Sequence, residues 1–109
     1  MFTDLPSHGE LWWSSIAEVG PRPAVVLSRD EAIAGRRRTM VAFCSTRRRG
    51  LLTEVLLEPG DDPVTKLSVV QLDSLTDVAV HQLTERLGRL SPARMQQICQ
   101  ALATAVACD

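Results

Sequence analysis

The chain has 109 residues, 45% of them apolar, with a formal net charge of −1. That length suits one domain over residues 1–109 and is too short for two. The near-zero charge excludes a polycation, so affinity for nucleic acid has to come from local clustering of charge.

The four aromatic residues are Phe2, Trp12, Trp13 and Phe43. Leu, Val, Ile and Ala must therefore build the core. The opening residues 1–4 carry neither the charged nor the apolar region of a secretory leader. No apolar run reaches membrane-spanning length. A cytoplasmic protein with no membrane partner is expected.

In chain order, the first element is a strand over residues 10–16, aromatic, short and preceded by Gly9. A turn at Val19-Gly20-Pro21 follows. Residues 23–28 form an apolar, β-branched run that reads as a buried strand, with Pro23 at its start. Gly35 and the arginines Arg36, Arg37 and Arg38 read as a connection. Residues 39–44 make a third strand, Arg47-Arg48-Arg49-Gly50 a loop, and residues 51–58 a fourth strand. Pro59-Gly60-Asp61-Asp62-Pro63 is a turn. Residues 67–72 make a fifth strand, and residues 76–90 fit two short strands around Val78 and Leu87.

The final segment starts with Ser91, a good N-cap, and Pro92, which suits the first helical position. Met95, Ile98, Cys99, Leu102, Ala105 and Val106 recur at three- and four-residue spacing, the apolar face of a helix. Arg94, Gln97 and Gln100 occupy the opposite face. Several short strands followed by one helix predict a mainly β fold, a small closed or nearly closed barrel with the helix packed against it.

Cys44, Cys99 and Cys108 are odd in number and widely spaced, which suits neither a disulfide framework nor a zinc site. Cys44 and Cys99 read as small core residues, and Cys108 as an exposed thiol.

Five segments carry a resemblance to the MazF/PemK family. They are Gly9-Glu10-Leu11-Trp12-Trp13, Arg22-Pro23-Ala24-Val25-Val26-Leu27-Ser28, Val41-Ala42-Phe43-Cys44-Ser45-Thr46, Ser68-Val69-Val70-Gln71-Leu72-Asp73, and Arg86-Leu87-Gly88-Arg89-Leu90-Ser91-Pro92. Each is a weak signal alone, but all five stand in the family's order across nearly the whole chain. Short mycobacterial-type members are especially similar.

The resemblance implies an SH3-like barrel of the CcdB/MazF/PemK type that forms a homodimer. It implies a toxin that cuts single-stranded RNA without metal or other cofactor, and a cognate MazE-like antitoxin that blocks it. It also places Arg22 and the hydroxyls of Ser45 or Thr46 at the cleavage site. A CcdB-like inhibitor is the rival on the same barrel, but that family uses a tryptophan near its C-terminus and this chain has none there. A barrel that binds RNA without cutting it is the other rival, since Ser45 stands where the family has threonine.

The chemistry fits those residue types. RNA brings its own nucleophile, the 2′-hydroxyl, so an enzyme must supply geometry, charge stabilisation and proton handling. A guanidinium such as that of Arg22 keeps its charge and donates two parallel hydrogen bonds to phosphate oxygens. Ser45 or Thr46 offers a hydroxyl donor.

Arg47, Arg48 and Arg49 directly follow that pair and suit phosphate binding. For Arg36 to Arg38, phosphate binding and a solvated loop remain alternatives. Trp12 and Trp13 point to opposite faces of a regular strand, so one is core and the other, expected to be Trp13, meets RNA or a partner. Glu18 is the nearest match to the family's acidic residue in the first loop. Histidine is the side chain that most often moves protons near neutral pH, but His8 and His81 each read better as surface residues than as the base.

Overall fold

The computed structural model describes residues 5–16 and 20–108. Glu18 lies outside them. Six strands form one sheet: β1 (Glu10–Ser14), β2 (Arg22–Val26), β3 (Arg38–Ser45), β4 (Glu54–Leu57), β5 (Ser68–Ala79) and β6 (Leu83–Arg89). Their spatial order is β4-β5-β3-β2-β1-β6, every pairing antiparallel. The described residues also form two α-helices, α1 (Asp30–Arg36) and α2 (Pro92–Ala105), and a single 3-10 turn, Val80–Gln82, between β5 and β6. Among the described residues, no helix is long and apolar enough to cross a membrane.

Alternation along the strands sends side chains to two cores. Leu11, Val25, Ala42 and Cys44 join Ile98 and Ala101 of α2 on one face. Trp12, Ala24, Val26, Val41 and Phe43 join Ile33 of α1 on the other. Trp12 is buried while Trp13 is 37% exposed, as the alternation requires.

The sheet's edges are β4 and β6. They come together through the segment between β4 and β5. Gly88 in β6 lies so close to Pro63 that a Cβ on it would sit 2.6 Å from the proline Cβ. Only glycine fits there, and the contact nearly closes the expected barrel.

Three expectations need correction. Gly35 and Arg36, expected in a connection with Arg37 and Arg38, end helix α1 (Asp30–Arg36), and Arg38 already begins β3. Asp30 and Glu31 occupy the helix's first turn and Arg36 its last, charges that suit the helix dipole. Arg37 ends it in the left-handed conformation, donating its N–H to the Ile33 carbonyl at 2.8 Å. Secondly, the fifth strand and the one around Val78 are a single twelve-residue strand, β5. Its register on β3 jumps between Ala42↔Leu75 and Cys44↔Val70, a large bulge that leaves polar Asp73 and Ser74 outside the regular ladder. Thirdly, Cys99 is exposed. The buried stripe of α2 runs through Ile98 and Ala101, which turns Cys99 and Val106 toward solvent. The expected N-cap is in place, with the Ser91 hydroxyl accepting the Arg94 N–H at 3.1 Å.

Glu10 ties β1 to β6. Its buried carboxylate accepts hydrogen bonds from Trp12 Nε1 at 3.0 Å and Arg86 Nε at 2.7 Å. Arg89 Nη2 approaches the same group at 3.3 Å.

Candidate active site

The end of β3 is the centre of the site. Ala24 pairs with Phe43 and Val25 with Ala42. Continuing that register points Arg22, the first residue of β2, at Ser45, the last of β3. On the other side Ser45 pairs with Val69 of β5. Ser45 is therefore flanked by Arg22 and by the chain entering β5.

A cavity of about 540 Å³ opens at this point. Arg22, Ser45, Thr46 and Trp13 all line it, so the structure brings together four of the residues expected from sequence. The wall facing them is Pro63 to Lys66, and Cys44 lies alongside. Among the described residues that line it, the charged ones are Arg22 and Lys66; there is no carboxylate.

Ser45 Oγ accepts the Arg47 backbone N–H at 3.1 Å. That contact fixes the oxygen and leaves the hydroxyl proton available for donation. Ser45 is half-buried, whereas Thr46 is exposed. Arg22 is half-buried and sits close enough to Cys44 for its charge to act on the thiol. Burial pushes that thiol up to about 12, and the nearby guanidinium only partly opposes the rise. Cys44 is thus a neutral side chain beside the cavity, not a nucleophile.

The arginine loop leads away from the rim. Arg47, Arg48 and Arg49 are exposed, and none of them lines the cavity. The loop's shape comes from Glu54, whose Oε1 accepts the N–H groups of Arg49 and Gly50 at 3.0 Å each and that of Leu51 at 3.3 Å. Residues 51–53 therefore form a turn, and the fourth strand begins later than its sequence suggests.

The arginines of residues 36–38 lie at the opposite end of β3. Arg38 Nε contacts Asp77 at 2.6 Å, and Arg36 approaches the same carboxylate at 3.7 Å. Asp77 thus offsets part of the charge of Arg36 and Arg38. Neither histidine is near the cavity. His81 follows the far end of β5, about 23 Å along the sheet from Ser45 at 3.3 Å per residue. His8 lies beside the far end of β2, where its Nδ1 is 2.9 Å from the Leu27 carbonyl.

The facing wall was not visible in the sequence. It is fastened by Asp62, whose carboxylate is buried and accepts from Arg94 Nη2 at 2.9 Å and Nε at 3.2 Å. The same Asp62 accepts the Glu58 N–H at 2.8 Å. Nothing in Pro59-Gly60-Asp61-Asp62-Pro63 distinguishes this anchor from an ordinary turn. The only local signal was Lys66, the chain's single lysine, two residues before Ser68.

The family model that matches the chain is described as PemK-like, MazF-like toxin of type II toxin-antitoxin system, and it covers residues 7–106. The chain is 56% identical over 107 residues to a protein of Mycobacterium tuberculosis (strain ATCC 25618 / H37Rv) named probable endoribonuclease MazF5, covering 98% of each. It is 37% identical to probable endoribonuclease MazF2 of the same strain, covering 93% of this chain and 98% of that one. A solved mycobacterial structure, an endoribonuclease in complex with its cognate antitoxin, superposes with a TM-score of 0.86 at 26% identity, covering 95% of this chain and 97% of that one.

Proposed function

The chain belongs to the PemK-like, MazF-like toxin family of type II toxin-antitoxin systems, and from that membership we propose that the Arg22 cavity is where it cuts single-stranded RNA. It is an endoribonuclease toxin formed by one domain over residues 1–109. The observation that carries the site is the shared cavity itself. Arg22, Ser45 and Thr46 line it together, and the described residues around it include no carboxylate that would repel a phosphodiester.

In the proposed reaction the RNA 2′-hydroxyl attacks the adjacent phosphorus in line with the departing 5′-oxygen. A bond forms from the 2′-oxygen and the bond to the 5′-oxygen breaks. The products are a 2′,3′-cyclic phosphate and a 5′-hydroxyl, which takes up the proton. Arg22 stabilises charge on the non-bridging oxygens. Ser45 donates its hydroxyl proton to one of them, with its oxygen already held by the Arg47 N–H. Thr46 is the more exposed alternative for the same role. Trp13, partly exposed on the rim, offers a face on which a base can stack.

By the same reading the chain acts as a homodimer in the cytoplasm, where its substrate is found, and is held in check by a MazE-like antitoxin. The test is direct. Purified protein is incubated with single-stranded RNA in EDTA, and the new ends are analysed. The reading expects 5′-hydroxyl and cyclic-phosphate termini. Intact RNA with a correctly folded sample would leave the cavity as an RNA-binding site without cleavage.

A further inference from the structure

We propose that Lys66 is a second phosphate-binding residue of this cavity, holding the RNA backbone from the wall that faces Arg22. The inference rests on the reading of the cavity as the RNA site.

Its first support is placement. The chain has eleven arginines but a single lysine, and that lysine lines the cavity that contains Arg22, Ser45 and Thr46. β3 runs between β2 and β5. Ser45 at its end thus has Arg22 on one side and the segment Thr65-Lys66 entering β5 on the other. Two cations flank the proposed reaction centre. A phosphodiester held between them is neutralised from both sides, as RNA backbone binding requires.

The second support is the rigidity of the wall. Lys66 itself is exposed, yet its backbone is fastened at both ends. The Lys66 carbonyl accepts the Ser68 hydroxyl at 2.8 Å. Upstream, Asp62 is locked to Arg94, Val64 N–H donates to the Asp62 carbonyl at 2.7 Å, and Pro63 abuts Gly88. A mobile side chain on a fixed base can meet a phosphate with little ordering of the backbone.

The third is chemical. An ammonium is a compact point charge with three donors, unlike the planar fork of Arg22. It suits a phosphate whose orientation is already set by the fork of Arg22.

The single lysine makes the test specific. An amine-directed acylating reagent modifies Lys66, and peptide mass separates that product from the N-terminal amine. The probe is a short random-sequence single-stranded RNA with every 2′-hydroxyl methylated, which binds but offers no nucleophile. Saturating probe is expected to slow acylation of Lys66. Lys66→Gln is expected to weaken probe binding roughly tenfold and to lower its salt slope by about 0.7, one phosphate's worth for a single strand. Lys66→Arg should keep the charge and most of the binding. Pre-acylated wild-type protein gives the same readout without a substitution.

Unprotected Lys66 under saturating probe, together with unchanged binding by Lys66→Gln, would overturn the inference. If in that case Arg22→Ala still abolishes cleavage, the cavity reading stands and only the lysine's role falls. If folded wild-type protein binds no probe at all, both fall.

Discussion

Asp62 and Arg94 form a two-point ion pair, Nη2 to Oδ2 at 2.9 Å and Nε to Oδ1 at 3.2 Å, that fastens one wall of the cavity to the C-terminal helix. The carboxylate is almost fully buried and the guanidinium mostly so. Arg94→Ala would leave that carboxylate uncompensated. We expect a loss of about 3 kcal/mol, the low end for breaking a buried pair because Arg94 keeps some contact with water. Urea denaturation measures it. Asp62→Leu combined with Arg94→Met should recover much of the loss. A change below about 1 kcal/mol for Arg94→Ala would make the pair an ordinary surface contact.

The Cys44 thiol gives a pH prediction with a definite sign. Its ordinary value is 9.0, and burial raises it to about 12 in the folded chain. Above pH 9 the unfolded chain releases this proton while the folded one retains it. The stabilising contribution is therefore full below pH 9 and is lost as pH rises toward 12. Thermal melts from pH 7 to 11 should show a steeper alkaline fall for wild type than for Cys44→Ala. Parallel curves would mean that the thiol ionises without hindrance.

Arg47, Arg48 and Arg49 stand outside the cavity on an exposed loop. Replacing all three by Ala should weaken RNA binding and reduce the salt slope by up to about 2, at 0.7 per phosphate contact. Filter binding across a salt series reads this. An unchanged slope would assign the three arginines to solvation.

Much of this arrangement was legible in the residues, and what was not has physical causes. Trp12 and Trp13 had to face opposite ways on a strand, and Ser91-Pro92 had to begin a helix, because those patterns are local. Arg22 and Ser45 were legible as types, and the pairing of β2 with β3 supplied their proximity. Helix α1 escaped notice because Ile33 is its single buried residue, too little for any periodicity to register. The length of β5 was hidden by the bulge that exposes Asp73 and Ser74. Asp62 and Lys66 looked like turn residues, since what gives each its place lies far away in sequence, on α2 for Asp62 and on β2 and β3 for Lys66.

The central claim concerns Arg22, and single-turnover cleavage of single-stranded RNA in EDTA by wild type and Arg22→Ala tests it most directly. Removing one charge-stabilising donor costs on the order of 10²-fold or more in rate. The account predicts at least that loss for an Arg22→Ala protein that still unfolds cooperatively, while wild type under the same conditions yields 5′-hydroxyl ends. An Arg22→Ala protein that cleaves as fast as wild type would contradict it and place the reaction elsewhere.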